Sequence, residues 1–293
     1  MILTLSGSAA LSAIADTGSF EAAADKLGLT QSAVSQRVRQ LEETLGTTLV
    51  VRGRPCVLSK AGRRVQRYAE EVGLSQQRLL ADLGVSGAER TRLRIAINAD
   101  SLATWFFNAL ASEDRLLFDV VIADEGRAAE LLRRGEVVAA LGRTGPTVAG
   151  CDQFDVGRMR YVACASPAFF SKWFSKGVNA ASLSAAPCLR FGPDDYLQYD
   201  WAKRLTGQTI APPYHLFPSS QAFVDGCMAG MGWAMNPKQS VQHLIDDGRL
   251  TPLGKKAFLD VPLCWRWSRA AREGLAVLNA SIRRRAKSFL LPP

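Results

Sequence analysis

A run of polar side chains near the N-terminus is chemically suited to reading DNA. Between residues 30 and 37 the chain carries hydroxyl, amide and guanidinium groups, on Thr30, Gln31, Ser32, Ser35, Gln36 and Arg37. Such groups form hydrogen bonds with the edges of bases in a major groove. Taken alone, the run also fits the solvated face of an ordinary amphipathic helix.

A second set of side chains, in the last two thirds of the chain, is suited to binding an amino acid. Carboxylates attract ammonium groups, the free N–H groups of a helix start attract a carboxylate, and aromatic rings cover an aliphatic stem. The candidates are Asn98, Asp100, Ser101, Asp124, Glu125, Phe191, Ser219, Ser220 and Trp265. Taken singly, each of the loop positions fits a solvated residue equally well.

The roles within this second set follow from its geometry. Asp124 and Glu125 are adjacent, so their side chains point to opposite faces if the strand persists through them. We therefore expect one of the pair, preferably Glu125, to act with Asp100 on the ammonium groups of a ligand. The helix start at Ser219-Ser220 is expected to hold the carboxylate, aided by Ser101.

The elements around the first set predict a winged helix-turn-helix domain over residues 1–58. Apolar residues at three- and four-residue steps predict a helix that begins after the N-cap Thr30 and ends at Gly46. A shorter helix capped by Ser19 precedes it across a Gly-containing corner, and two short strands follow around a tight turn. Arg52 and Arg54 lie on this wing, where they could meet phosphate, and Ser19 completes the predicted DNA-contacting set.

Residues 59–90 predict a long linker helix followed by a hinge at residues 84–87. Ser59 is the expected cap, and the helix carries a narrow apolar stripe made of Ala61, Val65, Tyr68, Val72, Leu79 and Leu83. A narrow stripe favours a helix–helix seam between two chains over a broad core face. The alternative is a helix that packs on its own domain.

Residues 91–293 alternate strand and helix patterns. Strands are predicted at residues 93–97, 118–122 and 137–141, and a similar unit starts again at residue 161. This α/β order predicts a mainly parallel sheet covered on both faces, in two lobes (about 91–160 with 267–293, and about 161–266) joined by crossing strands. Ligands of such sheets bind beyond the carboxyl ends of the strands, in the crevice between lobes, where the second set would meet.

Composition narrows the class of protein. The net charge of +9 and the pI near 9.5 suit a polyanionic partner, although basicity could equally serve solubility. No apolar run approaches the roughly 20 residues of a membrane span, and the first residues lack the basic region of a signal peptide. We therefore expect a cytoplasmic protein without a membrane partner.

Enzymatic and metal-binding motifs are missing from the sequence. There is no dinucleotide fingerprint, phosphate-binding loop or nucleophile elbow. The six cysteines are scattered, and His215 and His243 are the only histidines, which leaves little for a zinc site or a triad. We expect no catalytic residues, no metal and no cofactor, and cysteines that act as small buried hydrophobes.

The run GSFEAAADKLGLTQSAVSQRVRQLEETLGTTLVVR, followed by LSKAG, resembles the DNA-binding half of LysR-type transcriptional regulators. The resemblance covers residues 5–83. It implies that the polar run from Thr30 to Arg37 faces an operator, that the linker helix dimerises, and that the body is a two-lobed effector domain like type 2 periplasmic binding proteins. It also implies homodimers or homotetramers, with RNA polymerase as a further possible partner.

Four segments of the body carry a closer resemblance. INADSLATWF, DEGRAAELLRRGEVVAALGR, CLRFGPDD and PSSQAFVDGCMAGMGWAM resemble the ArgP/LysG group of that family, which controls the export of basic amino acids. This implies lysine, arginine or histidine as effector and an exporter gene as target. Two alternatives stay open: a LysR-type regulator of another small molecule, and an architectural DNA-binding protein without effector.

Overall fold

The computed structural model describes residues 5–84, 90–123 and 126–293. The N-terminal elements are α1 (Leu5–Thr17), α2 (Phe20–Leu27), α3 (Gln31–Leu45), β1 (Val50–Val51), β2 (Val57–Leu58) and α4 (Lys60–Asp82). The winged helix-turn-helix and the long linker helix are thus confirmed. Residues 85–87 of the predicted hinge lie outside the described residues.

Two hydroxyls set where the helices of the winged domain begin. Ser19 Oγ accepts a hydrogen bond from the N–H of Ala22 at 3.0 Å, and Thr30 Oγ1 accepts one from the N–H of Ala33 at 3.2 Å. The corner between these helices passes through Gly28, whose φ of 63° favours glycine. Ser19 and Thr30, both predicted to contact DNA, therefore also fix the starts of α2 and α3.

The body contains two lobes built from strands and helices. Its first part comprises β3 (Thr91–Ile97), α5 (Ala99–Ser101), a π-helical segment (Leu102–Phe106), α6 (Phe107–Leu110), β4 (Leu116–Ile122), α7 (Arg127–Arg134) and β5 (Ala139–Arg143). There follow β6 (Cys151–Ala165), α8 (Pro167–Phe174), α9 (Ala180–Ala185), β7 (Cys188–Arg190), α10 (Leu197–Thr206), β8 (Tyr214–Leu216) and α11 (Ser220–Met228). The last elements are β9 (Ala234–Pro237), α12 (Lys238–Asp246), β10 (Thr251–Pro252), β11 (Phe258–Ser268), a 3-10 turn (Arg269–Ala271) and α13 (Ala276–Phe289).

The main sheet is less parallel than predicted. Its strand order is β10-β6-β11-β5-β3-β4, with β9 also paired to β6, and only β3 with β4 and with β5 run parallel. The pairs that β6 makes with β9, β10 and β11, and the pair β11–β5, are antiparallel. The reason is that β6 and β11 are long crossing strands which link the lobes in opposite directions.

Two strand boundaries differ from the prediction. β5 lies at 139–143 rather than 137–141, because its pairing with β11 runs from Ala139, opposite Trp267, to Arg143, opposite Leu263. β6 starts at Cys151 rather than at residue 161. The sequence pattern did not predict its first half because that half is polar and lacks an apolar alternation. The later end of β5 brings Arg143 to the edge of the sheet.

The linker helix α4 has two different faces. Gln66, Glu70 and Leu74 are buried, and Leu74 belongs to the core of the body. On another face Leu79 is 58% exposed and Tyr68 is 43% exposed. The helix therefore packs on its own chain and still leaves part of the predicted apolar stripe uncovered. Within the described ranges, no helix has the length and apolar character needed to cross a bilayer.

Candidate functional site

Helix α3 presents its polar side chains on the face turned away from the core of the winged domain. Gln31, Ser32 and Gln36 are exposed, whereas Ser35 and Arg37 are half-buried. The apolar residues of the opposite face are buried. An exposed row of hydroxyl and amide groups in the N-terminal half of a helix can enter a major groove and reach base edges.

One carboxylate fastens the wing to α3. Glu42 Oε1 accepts hydrogen bonds from the N–H of Leu49 at 2.7 Å and of Val50 at 3.2 Å. This contact sets the position of the β1–β2 turn, on which Arg52 and Arg54 are exposed. Two exposed cations beside a reading helix are suited to the phosphates of the same duplex.

A crevice of about 440 Å³ lies between the lobes of the body, at the carboxyl ends of β3 and β5. Its volume is within the range of small-molecule sites. It is lined by Asn98, Ala99, Asp100, Gly126, Arg127, Arg143, Tyr161, Phe191, Asp194, Asp195, Tyr196, Leu197, Asp200, Ser220, Phe223 and Met235. Because both lobes contribute side chains, a ligand here would contact both at once.

Asp100 joins the two lobes within the crevice. Its Oδ1 accepts a hydrogen bond from Ser220 Oγ at 2.6 Å, and the Tyr161 hydroxyl hydrogen-bonds the same carboxyl group. Burial, with the nearby charge of Asp195, raises the pKa of Asp100 against the effect of these hydrogen bonds. A cationic group beside Asp100 would therefore favour its ionised form.

Asn98 provides an acceptor that the described residues leave unused. Its side chain is 5% exposed, and Oδ1 makes no hydrogen bond with any residue that the structure describes. An unpaired buried oxygen of this kind costs about 1–3 kcal/mol. An ammonium or guanidinium group in the crevice can supply the missing donor.

The loop after β7 is shaped by its own charged residues. Asp195 accepts hydrogen bonds from the N–H of Phe191 at 2.9 Å and of Leu197 at 3.2 Å, and Arg190 Nε donates to Asp195 O at 3.0 Å. The Asp195 carboxylate is therefore occupied by its own loop, whereas the neighbouring Asp194 is exposed. The loop therefore contributes two carboxylates to the crevice: that of Asp195 is hydrogen-bonded within the loop, and that of Asp194 is exposed.

Two guanidinium groups face these carboxylates. Arg143, the last residue of β5, lies with Nη2 at 3.5 Å from Oδ2 of Asp200 in α10 and spans the crevice. Arg127, the first residue of α7, also lines it. Four aspartates and two arginines thus line the crevice, an excess of two negative charges when all are ionised. Such a lining suits a ligand with a net positive charge.

Comparison with known families identifies this combination of domains. Residues 7–63 match the bacterial regulatory helix-turn-helix protein model of the lysR family, and residues 86–287 match the LysR substrate binding domain. The chain belongs to the LysR family of transcriptional regulators. The predicted family and fold are therefore confirmed, and both domains are present in the expected order.

Relatives of this LysR-type regulator align over nearly its whole length. It is 40% identical to the HTH-type transcriptional regulator ArgP of Pseudomonas aeruginosa, over 97% of this chain and 96% of that one. The crystal structure of ArgP from Mycobacterium tuberculosis is 36% identical with a TM-score of 0.81 and covers 98% of both chains. Full-length LysG from Corynebacterium glutamicum with bound effector Arg is 34% identical with a TM-score of 0.70, covering 99% of this chain and 100% of that one. These names are those of regulators, which confirms that the chain is not an enzyme.

The structure places one predicted effector residue in the core instead of the crevice. Trp265 is 0% exposed, its Nε1 donates to Asn279 Oδ1 at 2.8 Å, and its ring lies 5.4 Å from that of Phe106. The prediction for Trp265 is wrong because its side chain points to the face of the sheet that α13 covers. Phe191, the other predicted aromatic, does line the crevice.

The three serines predicted to bind the effector lie in different environments. Ser220 lines the crevice, but Ser219 is exposed and uses its Oγ to cap α11 on the N–H of Ala222 at 3.3 Å. Ser101 is fully buried and does not line the crevice. Because Ser220 donates to Asp100, the helix start already faces a carboxylate, which disfavours the predicted carboxylate site there. Asp124 and Glu125 lie outside the described residues.

Several lining residues escaped the sequence prediction. Arg143 follows a predicted strand and was missed because that strand was ended two residues early. Asp194, Asp195 and Asp200 lie in and after the segment CLRFGPDD, whose two carboxylates were a usable signal. Tyr161 could not have been found, since its place in the crevice depends on where the crossing strand β6 passes between lobes.

Within the described residues, the cysteines belong to no cluster that could bind a metal ion. All six are free, and no group of three or more histidines, cysteines or carboxylates within the described residues could hold a metal ion. Cys164 and Cys227 lie near one another in the second lobe, where Asn236 Nδ2 is 3.5 Å from each Sγ. Both thiols are fully buried and fit the predicted role of small hydrophobes.

Proposed function

We propose that this LysR-type regulator binds a basic amino acid (lysine, arginine or histidine) in its crevice and controls an amino-acid exporter gene. The observation that carries the proposal is the charge arrangement of the crevice, where four aspartates face two arginines. Lysine and arginine present two cationic groups and one carboxylate, as histidine does when its imidazole is protonated, and such a ligand is attracted by an excess of negative charge.

The ligand's charged groups find complementary partners at opposite parts of the crevice. One cationic group would lie beside Asp100 and the unused oxygen of Asn98. The second would lie near Asp194 and Asp200, and the carboxylate would pair with Arg143 or Arg127. Arginine is suited to this last role because its planar fork binds a carboxylate through two parallel hydrogen bonds.

One relative supports the identity of ligand and target. LysG from Corynebacterium glutamicum has been solved with bound effector Arg, and the same protein is named a lysine export transcriptional regulatory protein. Both statements concern that protein. They agree with the charge of this crevice, and on that basis we extend basic amino-acid sensing and exporter control to this chain.

The ligand is tested by calorimetry on the full chain with lysine, arginine and histidine, and with norleucine and glutamate as controls. Asp100→Asn should weaken binding of the basic amino acids more than tenfold, because losing one partner of a desolvated charge pair costs about 2–5 kcal/mol. The matched control is Asp225→Asn, which removes an exposed carboxylate on α11. Equal affinity for lysine and norleucine, or unchanged binding by Asp100→Asn, would exclude the proposed site.

The target and the second candidate function are tested together. Genome-wide footprinting should find the protein upstream of a gene for a multi-span membrane exporter, with transcription that responds to the bound amino acid. A response to a chemically different metabolite would indicate a LysR-type regulator of another effector. Binding and bending of DNA that no small molecule alters would indicate an architectural protein.

The DNA-binding part of the proposal concerns double-stranded operator DNA. We propose that Gln31, Ser32, Ser35, Gln36 and Arg37 reach base edges, while Arg52 and Arg54 contact phosphates. The exposure of this face and the fastening of the wing by Glu42 support this assignment. Homodimers or homotetramers would place several winged domains on one DNA site, and contact with RNA polymerase would then follow at the promoter.

A further inference from the structure

Helix α7 extends from the effector crevice to the linker helix α4. Gly126 and Arg127, at its N-terminal end, line the crevice. Its other end lies against α4, near Arg64 and Arg67. With eight residues the helix is about 12 Å long, so one rigid element reaches both places.

The contact between α4 and the end of α7 is direct. Arg64 Nε donates to Arg134 O at 3.1 Å, and Arg67 Nη1 donates to Leu132 O at 3.4 Å. Both carbonyls belong to the last turn of α7, where the negative end of the helix dipole favours cations, and Leu132 O also accepts the N–H of Gly135 at 3.0 Å. Gly135, which ends α7, has a φ of 70°, and a Cβ there would lie 3.2 Å from Arg67 Nη1.

Arg67 is also held on its own helix. Its Nε lies 3.2 Å from Glu71 Oε1, one turn further along α4, in a pair whose side chains are about one quarter exposed or less. Because this pair orients the guanidinium along α4, a rotation or shift of α4 would move the Arg67 group with it. The two arginines thus join the linker helix to the end of α7.

Helix α7 is seated firmly enough to act as one body. Ala128, Leu131 and Leu132 are buried, and they pack with Ala96 of β3 and Ala140 of β5. Alanines on the sheet allow a close approach, and close-packed interfaces move between discrete arrangements instead of deforming gradually. A displacement at one end of α7 is therefore felt at the other.

We propose that Arg64 and Arg67 are positioning residues which couple the effector crevice to the linker helix through α7. The inference rests on the proposed function, namely that the crevice binds a basic amino acid. Operator DNA constrains the linker helix through the winged domain, so it should change the affinity for the amino acid. By thermodynamic linkage, the amino acid must change the affinity for operator by the same factor.

The test is the ratio of amino-acid Kd values without and with saturating operator duplex, measured by calorimetry on the full chain with lysine and arginine. We expect this ratio to depart from one in the wild type, typically by about 5–150-fold for allosteric systems. In the double variant Arg64→Gln/Arg67→Gln it should fall at least threefold towards one. The amino-acid Kd without DNA should stay within about threefold, because linked sites retain their own contacts.

Two further variants make the result specific. Arg64→Lys/Arg67→Lys keeps the cations at the end of α7 and should restore part of the coupling. Arg78→Gln is the matched control, since Arg78 is also on α4 but contacts Glu273 instead of α7, at 3.2 Å. Its coupling should equal that of the wild type.

The outcomes separate the two proposals. If the wild type binds no basic amino acid in the absence of DNA, the proposed function fails and this inference fails with it. If the wild type binds the amino acid but the ratio is one, or if the double variant retains the full ratio, only the inference through α7 is overturned. Loss of coupling in Arg78→Gln to the same extent would also overturn it, because α7 would then have no special part.

Discussion

At the scale of single residues, the reading face of α3 separates base contacts from phosphate contacts. Gln36 is exposed on the helix, whereas Arg54 is exposed on the wing. Gln36→Ala should reduce the preference for operator over random DNA by about 1–3 kcal/mol, because a base contact carries sequence information. Arg54→Ala should weaken binding to both DNAs alike and flatten the salt dependence.

Fluorescence anisotropy with operator and scrambled duplexes at several salt concentrations measures both effects. Arg39→Ala is a useful control, because Arg39 lies further along α3 and pairs with Glu43 at 2.9 Å. If Gln36→Ala kept the full operator preference, the orientation assigned to α3 would be incorrect.

A second prediction at this scale follows from Asp100 and concerns the pH dependence of amino-acid affinity. Its pKa is raised by burial and by Asp195, and a bound cation favours the ionised carboxylate. Binding of lysine below that raised pKa must therefore release a proton, so affinity should increase with pH through a window above 3.8, the ordinary value. Calorimetry in buffers of different ionisation enthalpy detects this proton release. If the Asp100→Asn variant still released a proton on binding lysine, the proton would come from another group.

At the scale of elements, the packing of α4 on β3 buries an acid. Glu70 Oε2 accepts from the N–H of Arg94 at 3.3 Å, and burial, with Asp119 and Glu71 adding to it, raises the pKa of Glu70 to about 8. The folded state thus holds a proton that the unfolded chain loses near pH 4.5, the ordinary value. Stability contributed by this group falls as pH rises from about 4.5 through about 8.

Glu70→Gln should remove this loss of stability at high pH while keeping an acceptor for the Arg94 N–H. We expect the variant to melt higher than the wild type at pH 9 and nearly equally at pH 5. Thermal unfolding followed by circular dichroism provides the measurement, with exposed Glu21→Gln as the control. A wild type whose melting temperature exceeded that of Glu70→Gln at pH 9 would contradict the buried protonated state.

At the scale of the whole molecule, the uncovered part of the apolar stripe on α4 makes a prediction about assembly. Leu79 and Leu83 are 58% and 68% exposed in the single chain. Leu79→Glu would place a charge in the proposed seam and should dissociate dimers, because an unpaired charge is costly in an apolar interface. Analytical ultracentrifugation at several concentrations tests this, with Val277→Glu on α13, 60% exposed, as the matched control. An unchanged sedimentation profile would argue against the seam.

The net positive charge of the chain does not lie in its DNA-binding domain. The first 58 residues contain five lysines and arginines and five aspartates and glutamates, so the winged domain is neutral in sum. The excess of +9 therefore lies in the linker and the body. Net charge pointed to a polyanionic partner, but the recognition of DNA by the winged domain rests on the local arrangement of α3 and the wing.

The sequence alone determined the winged domain almost completely. Its helices are specified by local signals, namely the caps Ser19 and Thr30, the turn at Gly28 and an apolar period, which act within a few residues of one another. A local signal also ends α7, since it stops at Gly135, whose φ of 70° favours glycine. Asp100 and Phe191 were found because they follow strands whose ends meet in the crevice.

Only the tertiary structure decided which side chains share the crevice and which are withdrawn from it. Trp265 and Ser101 are buried because distant elements cover them, and no local pattern records that. Arg143 meets Asp200 because β5 and α10, far apart in sequence, approach from opposite lobes. The contact of α4 with α7 has the same origin: it joins residues about 65 to 70 positions apart, and such pairings depend on how whole elements pack.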